Sequence, residues 1–209
     1  MSKGLFITLE GPDGSGKTTQ LDLIKKYFEE KDEQAIFTRE PGGTLISEKV
    51  RGIILDKKNE EMAPMTEALL YAASRAQHVA QLIKPALERG KTVVCDRYVD
   101  SSIAYQGFGR GLGDSVTVIN TFAIDGCIPD LTLFLDIEPS RGKARIDGAM
   151  DRIESERLEF HKRVYDGYKK LAEQYPDRIK CVDADRSVEE IGIDIERYLD
   201  EVLIKRNEL

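Results

Sequence analysis

Histidine and cysteine are scarce in this chain of 209 residues, with two of the first and three of the second. Cys95, Cys127 and Cys181 lie far apart and are odd in number, which argues against a disulfide framework and for reduced thiols in a cytosolic setting. His78 and His161 are the only histidines, and no spacing supports a zinc site. No apolar run approaches the ~20 residues of a membrane span. The chain runs straight into a strand, with no signal-peptide layout. An excess of positive charge is missing as well. The formal net charge of −7 does not suit DNA or RNA, so any anionic ligand must be held by a local cluster of basic groups. No internal repeat, low-complexity tract or linker divides the chain. A single domain over residues 1–209 is therefore expected, long enough to bury a substantial core.

Against these absences stands one stretch, Gly11-Pro12-Asp13-Gly14-Ser15-Gly16-Lys17-Thr18. It fills every fixed position of G-x-x-x-x-G-K-[ST], the phosphate-binding loop. Leu5 to Leu9 before it is a short apolar run of the kind that forms a buried parallel strand. Leu21, Ile24 and Phe28 after it, three and four apart, give a helix with one core face. A loop so placed offers unpaired backbone N–H groups and a favourable helix dipole to an anion. Lys17 can reach the β- and γ-phosphates of a nucleotide, and the Thr18 hydroxyl can ligate Mg²⁺.

The first helix runs to about Lys31, and Ala35 to Thr38 is a second strand. Arg39-Glu40-Pro41-Gly42-Gly43-Thr44 forces a turn, after which Thr44 can cap a helix. That helix carries an apolar stripe of Ile46, Val50, Ile53 and Ile54, with Arg51 available to a cleft. Asp56 to Met62 is a polar connection. A long helix from Pro64 towards Arg89 should kink at Pro85 and end at Gly90. Thr92 to Cys95 is the third strand, followed by Asp96-Arg97-Tyr98. Gly107 to Gly113 has the composition of a mobile loop. Leu131 to Leu135 is the fourth strand. A charged region from Glu138 to Glu154 precedes a helix to about Tyr175. Ile179 to Val182 is the last strand, and Ser187 opens the terminal helix. Strands alternating with helices predict an α/β fold, a parallel sheet with helices on both faces.

In open α/β sheets, ligands bind beyond the carboxyl ends of the strands. The phosphate loop, Arg39 and the Asp96-Arg97 pair all follow strands, so they are expected to converge on one cleft. Asp96 can hold Mg²⁺ directly or through water. A hydrolase needs one anion site, whereas a nucleotide kinase needs a second one for its acceptor phosphate. Arg39 and Arg97 are the candidates, because guanidinium binds phosphate as a bidentate fork. Tyr71 and Arg75 are one helical turn apart, and so are Ser102 and Gln106, and Ser101 and Tyr105. A flat ring beside a planar donor suits a pyrimidine, and the Gln106 amide suits the polar edge of a base. Another nucleotide kinase, a GTP-dependent switch and a non-enzymatic nucleotide-binding module are the competing readings. The switch lacks its Asn-Lys-x-Asp segment.

Three segments together, Arg39 to Thr44, Tyr71-Ala72-Ala73-Ser74-Arg75, and Asp96 to Gly107, resemble thymidylate kinase, and the resemblance runs from Gly4 to about Tyr168. It implies the P-loop nucleoside monophosphate kinase fold with a lid at about 138–154. It also implies ATP + dTMP → ADP + dTDP with Mg²⁺, a step of dTTP biosynthesis, and a cytoplasmic homodimer. Carried over residue by residue, Gly11 to Thr18 hold ATP, and Thr18 and Asp96 serve the metal. Arg39, Arg51, Tyr71, Arg75, Arg97, Ser102, Tyr105 and Gln106 bind dTMP, with Tyr105 beside the sugar, where it disfavours a 2′-hydroxyl. Asp13 meets the acceptor 3′-hydroxyl or Mg²⁺-bound water. Lys17, Arg97, Asp13 and the lid residues Arg145 and Arg152 are the expected catalytic set. This chain has Tyr at position 71, where the family commonly has Phe. It has Asp147 where family members often carry a basic residue, and Gly148 is a candidate hinge.

Overall fold

The computed structural model describes residues 4–145 and 150–207. The expected features at Asp147 and Gly148 lie outside the described residues. Five parallel strands, β1 (Phe6–Glu10), β2 (Ala35–Arg39), β3 (Thr92–Asp96), β4 (Leu131–Asp136) and β5 (Ile179–Asp183), form one sheet in the order β2-β3-β1-β4-β5. β1 is central, pairing β3 from Phe6↔Val93 to Leu9↔Asp96 and β4 from Ile7↔Leu131 to Glu10↔Phe134. The chain winds to one side of β1 and then to the other. This change of direction leaves a crevice at the carboxyl ends of β1, β3 and β4.

Alternation along the strands assigns each face its cover. Ile7 and Leu9 join Ile24 and Phe28 of α1 (Lys17–Glu30) and Leu199 of α9 (Val188–Asn207) in one core cluster. Phe6 and Val93 face the other way, with Val79, Ile83 and Tyr98. A third cluster joins Phe134 to Val164, Tyr168 and Leu171 of α8 (Leu158–Gln174). Burying each such side chain contributes roughly 1.5–3 kcal/mol. Thr8 is a buried polar residue inside β1, and its hydroxyl bonds that of Thr132 at 2.7 Å.

Three expectations change. The stripe of α2 (Leu45–Leu55) divides: Ile54 is buried, while Ile46 and Ile53 are exposed. The long helix interrupts itself before Pro85. α3 (Pro64–His78) passes through a π-helical turn (Val79–Ile83) into α4 (Lys84–Glu88). A proline lacks the N–H that an unbroken ladder needs, and the wider turn absorbs that loss upstream. The segment from Gly107 is not a loop until Arg110. α5 (Val99–Ser102) continues as a π-helical stretch (Ile103–Gly109), with Gly107 and Gly109 buried. A Cβ at Gly109 would lie 2.7 Å from Phe160, so the glycine serves close packing against α8. Among its described residues, the 138–154 region holds one short helix, α7 (Pro139–Lys143), and turns from Asp151 to Ser155. α6 (Asp114–Ile124) completes the face that α2 and α3 begin.

Candidate active site

The phosphate loop leaves β1 at Gly11 and enters α1 at Lys17. Gly14 has φ +77°, and a Cβ there would strike the Gly142 carbonyl of α7. The loop and the stem of the 138–154 region therefore touch backbone to backbone. No side chain caps α1, whose N-cap is the left-handed Gly16, so its first N–H groups face the basin. Lys17 folds back over the loop, donating to the carbonyls of Gly11 at 3.2 Å and Pro12 at 2.9 Å. Burial, and next the Arg97 charge, lower its ammonium to about 8. A polyphosphate would supply the missing counter-charge.

Two basins meet at this loop. A donor basin of about 590 Å³ is lined by the loop, by Asp96 and Arg97, and by Arg145, Arg186 and Val188. A narrower acceptor cavity of about 140 Å³ is lined by Arg51, Tyr71, Ser101, Ser102, Tyr105 and Gln106, with Asp151 and Glu154 from beyond α7. Asp13, Arg97 and Glu154 line both. Arg97 sits at φ +63°, an unusual backbone position for a residue with a Cβ. Its guanidinium reaches Asp13 Oδ1 at 2.5 Å and the Gly11 carbonyl at 2.8 Å. Asp13 Oδ2 accepts from the Tyr105 hydroxyl at 3.0 Å. Burial pushes the Asp13 carboxyl upward, but Arg97, Lys17 and the Tyr105 bond outweigh it and hold it below the usual carboxylate value.

Most of the expected residues converge here, and three take other positions. Arg39 opens onto a groove beside β2 that adjoins the donor basin at Thr18 and Asp96, half-exposed and paired with Glu48 at 3.0 Å. Arg51 lines the acceptor cavity, held by the Pro41 carbonyl at 2.9 Å. Arg75 stands behind the cavity wall, fully buried. It donates to Glu40 at 2.8 Å, to Ser102 at 2.9 Å, to Asn120, and to the Tyr98 carbonyl at 2.9 Å. Four of its five N–H groups are thereby engaged. Arg145 lines the donor basin and donates to the Ala184 carbonyl at 3.0 Å. Arg152 faces neither basin. It donates to Glu67 at 2.7 Å and to the Ile54 carbonyl at 2.7 Å, tying its segment to α2 and α3.

The chemistry of the donor set bears on a metal. Asp96 Oδ1 is buried without a hydrogen-bond partner, and Asp96 and Thr18 line the same basin. Such an orphaned carboxylate oxygen beside a hydroxyl fits a hard cation. Among the described residues no cluster of three or more His, Cys, Asp or Glu side chains is arranged for a metal. A cation here would take its other ligands from phosphate and water.

Sequence reasoning missed the carboxylates that organise the arginines. Glu40 holds Arg75, and Glu67 collects Gln106, Arg110 and Arg152. Burial works against the Glu67 charge, but the bonds from Arg110 and Gln106 outweigh it and keep its carboxyl below the usual value. Glu10, which ends β1, was missed too. Its signal is a lone carboxylate closing an apolar run. Ser101 was marked by its spacing from Tyr105, but Tyr168, Glu154 and Asp151 carry no pattern that would have marked them.

The thymidylate kinase family model matches residues 9–195. The thymidylate kinase of Clostridium novyi (strain NT) is 53% identical over 204 residues, covering 95% of this chain and all of the relative. That of Lactobacillus delbrueckii subsp. bulgaricus is 54% identical over 195 residues, covering 90% of this chain and 92% of the relative. The crystal structure of thymidylate kinase from Ehrlichia chaffeensis superposes with a TM-score of 0.77 at 34% identity, covering 94% of this chain and 99% of that one. With two basins joined at a phosphate loop, and with relatives matched along nearly its whole length, the chain belongs to the thymidylate kinase family.

Proposed function

We propose that this chain, a dTMP kinase by family, moves the γ-phosphoryl group of ATP to dTMP across the wall that Asp13 and Arg97 form between the two basins. The observation that carries the reading is that shared wall: one guanidinium borders both the phosphate loop and the acceptor cavity. ATP lies with its phosphates on the N–H groups of Gly14 to Thr18 and under Lys17. Its base lies towards Arg145, Arg186 and Val188. dTMP lies with its ring on Tyr71, its polar edge at Gln106 and its sugar beside Tyr105. Its phosphate sits between Arg51 and Arg97. Burial raises the Tyr71 phenol well above its ordinary value, so the ring stays neutral for stacking.

The acceptor oxygen is already anionic, so alignment and charge neutralisation suffice for transfer. Asp13 receives the acceptor 3′-hydroxyl and so fixes the sugar. Asp96 and Thr18 would hold Mg²⁺, which would supply positive charge beside the phosphates. Arg145 adds positive charge from the donor side, and Arg152 joins it only on leaving Glu67. The test is release of ADP over a panel of nucleoside monophosphates. Turnover is expected with dTMP, and equal turnover with dCMP would refute the assignment of the base pocket.

A homodimer is part of the same reading. Ile46 and Ile53 on α2, Met65 and Leu69 on α3, and Val118 and Phe122 on α6 are exposed on three adjoining helices. Such a face suits an isologous contact between two copies. Sedimentation of wild type and Phe122→Asp tests this: a dimer is expected for the first and a monomer for the second. Cys95 and Cys181 are free thiols, which suits the cytoplasm. Among the described residues no helix is long and apolar enough to cross a membrane.

A further inference from the structure

Glu10 is fully buried at the end of β1, one residue before the phosphate loop. Strand alternation turns it towards α5 and α8, away from the nucleotide. Its Oε1 accepts from the backbone N–H of Tyr98 at 2.7 Å and of Ser101 at 3.3 Å. Its Oε2 accepts from the Ser101 hydroxyl at 2.5 Å and the Tyr168 hydroxyl at 2.9 Å. Those two hydroxyl oxygens are also acceptors for Arg97, whose Nη1 lies 3.3 Å from Ser101 Oγ and 3.2 Å from Tyr168 OH. We infer that Glu10 is a positioning residue for the transfer, fixing Arg97 through the Ser101 and Tyr168 hydroxyls. The inference rests on the reading of Arg97 given above.

Each hydroxyl has a single hydrogen and two lone pairs. The two hydroxyl oxygens also lie 2.8 Å from each other. While Glu10 is ionised it draws the hydroxyl hydrogens, and the oxygens present their lone pairs to the guanidinium. Once Glu10 holds a proton, one hydroxyl must accept it. That proton takes one of the hydroxyl's two lone pairs, and the hydroxyl's own hydrogen turns to its neighbour or towards Arg97. The hold of the two hydroxyls on Arg97 is thereby weakened against that of the Asp13 pair.

Burial, and then the nearby Asp100 charge, raise the Glu10 carboxyl to about 7. The other ionisable groups around it are Arg97, Lys17, Arg178, Tyr168 and Cys95. A switch of hydroxyl orientation therefore falls near neutral pH, where the dTMP phosphate also titrates. A ratio of two enzymes on one substrate removes that second effect.

The experiment measures kcat and KM for dTMP from pH 6 to 8.5 in wild type, Glu10→Gln, Arg97→Gln and the double variant, with Tm recorded for each. The amide introduced by Glu10→Gln presents N–H groups to the hydroxyls at every pH, so it imitates protonated Glu10. Loss of a charge-assisted network of this size corresponds to a fall in kcat/KM of roughly 10- to 100-fold at pH 8. The ratio of wild type to Glu10→Gln is expected to shrink as pH falls through about 7. The double variant is expected to be no slower than Arg97→Gln alone. A pH-independent ratio, or additive losses, overturns the inference while leaving Arg97 in its role. An Arg97→Gln enzyme with unchanged turnover overturns both. Should Glu10→Gln fail to fold, Tyr168→Phe keeps the ring stacked on Phe134 and removes one of the two hydroxyls. Its loss should likewise vanish in the Arg97→Gln background, and persistence there refutes the coupling.

Discussion

Arg75→Ala separates fastening from base recognition. The Arg75 and Glu40 side chains are 1% and 3% exposed and meet at 2.8 Å. Removing one partner of a buried pair costs about 3–5 kcal/mol, because the other charge is left without compensation. Here Glu40 keeps one contact, His78 Nδ1 at 3.0 Å, so the lower end of that range applies. For a chain of this size each kcal/mol lowers Tm by about 2–4 °C. The expected fall is thus about 6–12 °C, with similar losses of activity on dTMP and dCMP once folded protein is counted. Thermal unfolding followed by circular dichroism, beside kinetics at a temperature where the variant is folded, reads both quantities. Adding Glu40→Gln should recover part of the stability, since the buried charge is gone. A Tm within about 2 °C of wild type, together with a loss confined to dTMP, would falsify the fastening role and return Arg75 to the base.

Three further outcomes follow from the site. Lys17 titrates at about 8 when folded against 10.5 ordinarily, so between those values the unfolded chain binds the extra proton and stability rises with pH. Lys17→Met should therefore raise Tm at pH 7, with the advantage fading above pH ~10, while turnover falls by roughly 10²–10³-fold. Glu67→Gln should lower Tm at neutral pH and raise KM for dTMP, as Gln106 loses its anchor. Because the folded Glu67 carboxyl lies below its ordinary 4.5, that stability is complete above 4.5 and is lost as pH falls through the folded value. The difference from wild type in acid titrations monitored by fluorescence should close accordingly. Gly14→Ala places a Cβ against the Gly142 carbonyl at a positive φ, so KM for ATP should rise well before KM for dTMP. Equal increases would show that the α7 contact has no bearing on the donor side.

What was legible in the sequence was whatever local chemistry dictates. The glycines and Lys17 specify an anion loop wherever they occur between a strand and a helix. Apolar runs that end in turns gave the five strands and their parallel order of winding. Tyr71, Ser102 and Gln106 reached the cavity because helical spacing put them on one side. Spacing does not report depth, however. Arg75 shares a helix face with Tyr71, yet lies one layer deeper, where Glu40 captures it from a distant turn. Arg152 is drawn off by Glu67 in the same way. Arg39 ends an edge strand, so its side chain has open space beside β2, and Arg51 meets the cavity from the next helix instead. Gly107 and Gly109 have a loop composition, but tertiary packing under α8 holds them in a π-helical stretch.

The Asp13–Arg97 contact has a consequence for selection among small anions. This guanidinium already has a carboxylate for company, so an arriving ligand competes with a resident counter-ion instead of meeting a bare cation. A singly charged species such as chloride or acetate offers no more than Asp13 does. A phosphomonoester dianion brings twice the charge and three oxygens in the right spread, and it can share the cation without evicting the carboxylate. The wall between the basins thus sorts by valence before shape is consulted.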